Sequence, residues 1–175
     1  LCVEPQAADG DLFPRARPLG RPLRPMPGEA HRALLAFHHI LSAKKIRTLH
    51  AWSQELELHG LVKIGYPGVL LVADRAPCAS RVPEYVRRIK RLPWQTCEVR
   101  AFGAVPPPAA PALEGLAHAL RTLAVPASVS RRSGLVQLER LKDMSAYLHA
   151  ADAATPLPHG ALSWAAFFQQ AMRAP

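Results

Sequence analysis

LVKIGYPGVLLVA, residues 61–73, is the stretch that decides the fold. Two short apolar runs, Leu61 to Ile64 and Val69 to Ala73, flank Gly65-Tyr66-Pro67-Gly68. The glycines supply positive φ and the proline a fixed φ, so the segment predicts a β-hairpin. Upstream, LLAFHHIL (34–41) has the length and aromatic content of a buried strand. Ser42 offers an N-cap, and Ile46, Leu49, Trp52, Ser53 and Leu56 recur at helical spacing through 43–58. Gly60 is placed to stop that helix as its C′ residue. Downstream, a helix is expected over 77–91 with the stripe Tyr85, Val86, Ile89 and Leu92. Proline is tolerated in its first turn, although Pro83 delays the start if it falls later. Pro93 ends it, and 94–102 alternates as a strand.

The order over 34–102 is therefore β-α-β-β-α-β, the split βαβ arrangement. The expected class is α+β: a ferredoxin-like βαββαβ sandwich with additional C-terminal helices. Its first and third strands are central, and here they are also the most apolar, which predicts cover on both sheet faces. Residues 1–30, with FPRARPLGRPLRPMPG, read as an extended proline/arginine-rich tail or linker. Residues 31–102 form the core, and 103–111, with VPPPAAP, read as a stiff linker. The remainder, 112–175, reads as a helical extension packing on the core, with helices over 112–124, 135–150 and 161–172.

At 175 residues the chain fits one domain with tails, and 49% hydrophobic residues allow a packed core. Cys2, Cys78 and Cys97 contain no CxxC pair, which argues against a disulfide framework and a cysteine zinc site. No apolar run approaches the roughly 18 residues of a membrane span. LCVEPQAADG has neither the basic nor the apolar region of a secretory signal, so a reducing compartment is expected. The chain does not start with Met, which leaves a fragment of a longer protein open. The net charge of +9 is uneven. Residues 31–101 carry twelve Lys/Arg against five acids, +7, while 1–30 are neutral and 102–175 carry +2. Such an excess attracts polyanions, although a merely soluble basic surface has the same count.

No Gly-x-Ser-x-Gly, HExxH or glycine-rich phosphate loop is present, so no catalytic residue, cofactor or small-molecule substrate is expected. His38 and His39, as neighbours in a strand, would point to opposite faces and could not share a metal ion. One is expected buried and hydrogen-bonded, the other outward. VLLVA carries no aromatic, which disfavours base stacking on the sheet face. A phosphate-tracking patch remains: Lys44, Lys45 and Arg47 at the first helix start, Lys63 on the next strand, Arg87, Arg88, Lys90 and Arg91 at the second helix end, and Arg100 on the last strand. Cations at a helix C-terminus are also explained by the macrodipole alone.

Several short motifs come in series. They are Phe37-His38-His39-Ile40-Leu41, then Lys44-Lys45, then Leu56-Glu57-Leu58-His59-Gly60, then Gly65-Tyr66-Pro67-Gly68-Val69-Leu70-Leu71-Val72, then Cys78, and finally Arg91-Leu92-Pro93-Trp94. Over about 70 of the 175 residues this resembles the C-terminal domain family of the spliceosomal pre-mRNA-processing factor 3, which also closes the type-two RWD-domain-containing proteins. The resemblance implies a non-catalytic, nuclear RNA-binding module of a ribonucleoprotein, gripping a small nuclear RNA duplex and its single-stranded extension. It makes the His38-His39 pair a family mark that anchors the sheet or touches a partner. Tyr66 departs from the family's Lys before Pro-Gly, and Asp74-Arg75 stand where a glycine often follows the third strand. Residues 135–172, with Phe167-Phe168-Gln169-Gln170-Ala171-Met172, resemble the RWD branch more. That branch implies the alternative: a protein-interaction domain with no RNA role, in the cytoplasm.

Overall fold

The computed structural model describes residues 29–75, 80–105, 109–122, 134–154 and 162–173. In chain order these form β1 (His31–Phe37), α1 (Ala43–Glu55), β2 (Leu58–Lys63), β3 (Gly68–Asp74), α2 (Val82–Lys90) and β4 (Cys97–Ala104), then α3 (Ala109–Thr122), β5 (Leu135–Leu138), α4 (Leu141–Ala154) and α5 (Trp164–Arg173). The class is α+β. One sheet runs in the order β4-β1-β3-β2-β5. β1 is antiparallel to β3 and β4, β2 is antiparallel to β3, and only the β2–β5 pair is parallel.

Strand alternation divides the core into two layers. Leu35, Phe37, Leu70 and Val72 lie under α1 and α2 with Leu49, Val82, Tyr85 and Ile89. Leu34, Leu61 and Leu71 face α3, α4 and α5 through Leu113, Leu116, Met144, Leu148, Trp164 and Phe167. The Tyr85 hydroxyl donates to the Leu49 carbonyl at 2.9 Å and ties α2 to α1. Arg81 pairs with Glu57 at one end of these helices, and Lys45 donates to the Pro93 carbonyl at the other, so α1 and α2 run antiparallel. The buried Asp74 carboxylate accepts from His31 N at 2.7 Å and Arg81 N at 2.9 Å, pinning the start of β1 and the approach to α2. On α4, Asp152 accepts from Trp164 N and Ala165 N, at 2.8 and 3.0 Å, and so caps α5.

Several boundaries differ from the sequence reading. Ser42 does cap α1, accepting from Lys45 N, but the helix stops at Glu55 rather than running to Leu58 with Gly60 as its C′ residue. The chain turns through Glu57, at φ 52, and enters β2 directly. Gly60 lies within β2, where a Cβ would stand 2.0 Å from the Leu71 carbonyl oxygen. It is glycine because two backbones approach closely there, not because a helix ends. α2 begins at Val82, with Pro83 in its first turn, where the missing N–H costs nothing. The expected start over 77–79 lies outside the described residues.

The 103–111 linker is shorter than expected, because β4 extends to Ala104 and α3 begins at Ala109. Val105 N donates to the Ala30 carbonyl at 2.8 Å. The tail up to residue 28, and 106–108, lie outside the described residues. The single helix expected over 135–150 is β5 followed by α4. Its apolar residues fit a helical period, but β2 would otherwise present an open edge. Gly60 N donates to the Gly134 carbonyl and Ile64 N to the Leu138 carbonyl, both at 2.9 Å, and this satisfies that edge.

Two buried polar side chains sit on the α3–α5 face. The Arg32 guanidinium lies 4.3 Å from the Phe167 ring centroid and 5.1 Å from that of Trp164, with Nη2 donating to the Leu162 carbonyl at 2.6 Å. Burial pulls its pKa down to about 10, opposed by the Asp152 charge. His59, 4% exposed on β2, is held down to about 4 by burial and then by the Arg75 and Arg121 charges.

Gly60→Ala is expected to destabilise the fold by about 2–3 kcal/mol or more, since backbone must shift to admit the methyl group. Gly103→Ala on β4, where a Cβ meets nothing within 4 Å, is expected to stay within about 0.5 kcal/mol of wild type. Urea unfolding of both variants checks this. His59 adds a pH dependence with a definite sign. The unfolded imidazole titrates near 6.5 and the folded one lower, so between those values the unfolded chain binds more protons. Stability is therefore full above about pH 6.5 and is lost as the pH falls towards 4. From pH 7 to pH 5 the unfolding free energy is expected to drop about 2 kcal/mol more in wild type than in His59→Gln. Parallel pH profiles for the two proteins would contradict the assignment.

Candidate functional site

The ladder registers bring three chain segments to one end of the sheet. Phe37, the last residue of β1, pairs with Gly68 at the start of β3 and with Cys97 at the start of β4. The chain leaving β1, the hairpin turn and the approach to β4 are thus neighbours. Ile40 and Gly65 exchange two backbone hydrogen bonds, at 2.9 and 3.0 Å, which lock the β1 exit against the turn. Gly68 has no room for a Cβ, which would stand 2.5 Å from Ile40 Cγ1.

His38 and His39 lie just past β1, so strand alternation does not govern them. His38 is exposed and His39 half-buried, and their Nδ1 atoms are 2.9 Å apart, one ring donating to the other. His38 N donates to Thr96 Oγ1 at 2.9 Å, and its ring meets the Tyr66 ring edge-on at 4.9 Å between centroids. Neither is the buried histidine that a strand pattern predicts. Among the described residues no three His, Cys, Asp or Glu side chains converge in a metal-binding group.

The cations of the sequence reading separate into two sets. Lys63 is buried, and its Nζ donates to the Tyr66 and Pro67 carbonyls at 2.9 and 2.7 Å. Burial lowers its pKa. It fastens the hairpin turn and does not face solvent, contrary to its expected place in a phosphate patch. Lys45 donates to the Pro93 carbonyl and lies 4.4 Å above the Trp94 ring. Trp94 is itself half-buried, 4.6 Å from the Phe37 ring, with Nε1 donating to the Ile89 carbonyl at 2.8 Å. Arg87 pairs with Glu84, and Arg88 bridges Glu84 and Glu55 at 3.0 and 2.9 Å. Those carboxylates raise the Arg88 pKa. Arg100 is half-buried and pairs with Glu98 at 2.9 Å. With His38 and Thr96 it lines an open cleft of about 380 Å³.

Lys44, Arg47, Lys90 and Arg91 are exposed and carry no ion pair among the described residues. The Lys45–Pro93 bond sets the start of α1 beside the end of α2, so these four belong to one end of the molecule. Lys90 and Arg91 also suit the negative end of the α2 dipole. The exposed apolar side chains at this end are Tyr66, 69% exposed, and Leu41, 67% exposed. The sequence marks Tyr66 as a turn residue and a departure from the family motif, not as a site residue. Its position at a glycine-flanked turn tip was the available signal, since such tips project into solvent. This end of the molecule therefore offers an exposed ring and exposed cations, a combination that suits stacking together with phosphate contact.

Lys63→Met keeps the alkyl stem but leaves two turn carbonyls without their donor. It is expected to lower stability by about 1–3 kcal/mol, measured by denaturant unfolding. An unchanged midpoint would show that the turn holds without it. No protein-family model matches this sequence, and no match to it is found among curated proteins or solved structures.

Proposed function

We propose that this chain is a non-catalytic RNA-binding module of a ribonucleoprotein, built as a ferredoxin-like βαββαβ sandwich extended over its second face. The element order and the strand order β4-β1-β3-β2 support the fold part of this reading. Its resemblance to the C-terminal domain of pre-mRNA-processing factor 3 supports a nuclear location, a splicing role and ribonucleoprotein partners. One observation carries the RNA reading: the exposed Tyr66 ring, edge-on to His38, shares one end of the sheet with Lys44, Arg47, Lys90 and Arg91, which make no ion pair among the described residues. Bases stack on an exposed aromatic whatever their identity, and neighbouring cations follow the phosphates. The sheet faces themselves are unavailable to bases, since helices cover both. Single-stranded RNA at the sheet end is therefore the favoured ligand.

A second reading rests on a different observation. β4 pairs with β1 alone among the described residues, and Phe102 on it is 46% exposed, stacked on His31 at 5.4 Å. An unpaired strand edge with an exposed aromatic suits an added strand from a protein partner. This favours a protein-interaction domain, the reading that needs no RNA role.

Fluorescence anisotropy with labelled single-stranded and duplex RNA, at about 50 and 200 mM salt, separates the two. Lys44→Ala with Arg91→Ala is expected to weaken binding to every sequence and to lower the log K against log salt slope by roughly one to two units. Tyr66→Ala is expected to cost about 1–3 kcal/mol on single strands with little change in slope. Absence of binding to either RNA at the lower salt would remove the RNA reading and leave the strand-edge one.

A further inference from the structure

On the opposite side of β2 from α1 and α2, a second cavity opens between the sheet edge and α3. It measures about 330 Å³ and is lined by His59, Arg75, Ala117, Leu120, Arg121 and Val136. Strand alternation puts His59 on the same face as Leu61, which packs with α3. Its side chain is buried, yet Nε2 has no hydrogen-bond partner among the described residues. A buried, unsatisfied polar atom in a native fold calls for a reason, and a role in binding a ligand is one. Arg75 follows β3 and Arg121 lies in the last turn of α3, and both are exposed. Neither makes an ion pair among the described residues, and no carboxylate from those residues lines the cavity. The α3 dipole accounts for a cation at Arg121, but it does not account for a second one at Arg75.

The wall is built closely. Gly134 lines the same cavity, and a Cβ there would stand 1.8 Å from the Leu58 carbonyl oxygen, so β5's approach is seated hard against β2. Two guanidinium groups and one imidazole N–H donate hydrogen bonds and attract negative charge, while Ala117, Leu120 and Val136 offer apolar contact. We propose that this cavity binds a small organic oxyanion, its anionic head between Arg75 and Arg121 within reach of His59 and its apolar body along α3 and β5. The site lies on the helix-covered face of β2, away from the Tyr66 rim, and does not depend on the RNA reading. The charges of Arg75 and Arg121 help burial to hold the imidazole neutral. A bound anion screens them.

The head is a phosphate monoester or a carboxylate, and the probes distinguish these. The full chain is titrated by calorimetry with phenyl phosphate, benzoate and inorganic phosphate, while histidine ring signals are followed by NMR. Phenyl phosphate or benzoate is expected to bind one per chain, to move the His59 ring signals, and to bind more tightly than inorganic phosphate. The tighter of the two organic probes identifies the head. Arg75→Gln and Arg121→Gln are each expected to weaken binding about tenfold or more, as loss of a charge-assisted hydrogen bond does. Both positions are exposed, so the fold is retained. Lys44→Ala with Arg91→Ala is expected to leave this binding unchanged. The proposal is overturned if neither organic probe binds, if binding survives loss of both arginines, or if inorganic phosphate binds as well as phenyl phosphate.

Discussion

The rest of the structure depends on β3 being buried at all seven of its positions. It lies between β1 and β2 with helices over both faces, so its backbone groups have only those two strands to satisfy them. β1 and β2, and through them the segments they adjoin, are located by that demand. The register with β1 sets Phe37 against Gly68, and this carries the His38-His39 segment to the hairpin turn. The register with β2 sets Gly60 against Val72 and leaves β2's other edge to be completed by β5. Asp74, where β3 ends, accepts from the start of β1 and from the residue before α2. The apolar run that forms the strand thus also dictates where the polar rim stands.

The formal charge of +9 overstates the surface available to a polyanion. Arg32 is enclosed by aromatic rings, Lys63 holds a turn, Lys45 lies on Trp94, and Arg81, Arg87 and Arg88 face carboxylates. Exposed ion pairs contribute little to stability. They nevertheless cancel charge locally, so a cation already facing a carboxylate displaces fewer counterions when a phosphate arrives. Among the described residues the cations outside ion pairs include one group at the Tyr66 rim and another at the cavity beside His59, with Lys142 on α4 and Arg173 on α5 exposed besides. One is open and aromatic, the other recessed and apolar-walled. They suit different anions for that reason.

Much of this was legible in the residues. GYPG between two apolar runs is a hairpin by local turn chemistry, and Ser42 before an apolar helical period is a cap, because both signals act within a few residues. The buried Tyr85 and Ile89 followed from spacing alone. The α+β class followed from these together. Two readings failed where a partner elsewhere in the chain overrode the local signal, and a third, that of Lys63, where the adjacent turn did. Gly60 has the look of a helix stop, but its lack of a side chain answers to Leu71, across the ladder. Residues 135–138 keep a helical apolar period, yet the unpaired edge of β2 draws them into the sheet. Lys63 reads in sequence as one of the phosphate-patch cations, though its charge turns inward to two carbonyls of the adjacent turn.

The two sites divide in the same way. Cations near the start of α1 and the end of α2 were visible as residues, but their convergence required the antiparallel packing that Tyr85 and Lys45 maintain. The separation of free from paired cations required the positions of Glu55 and Glu84. His59, Arg75 and Arg121 span 62 positions between the first and last, and no local pattern joins them. By itself the sequence determined the hairpin, the helix cap, the apolar layers and the excess of positive charge, since each arises from neighbours along the chain. Only the tertiary structure decided which charges stay free, which glycine serves close approach and where an anion has room, because those depend on contacts between residues far apart in the chain.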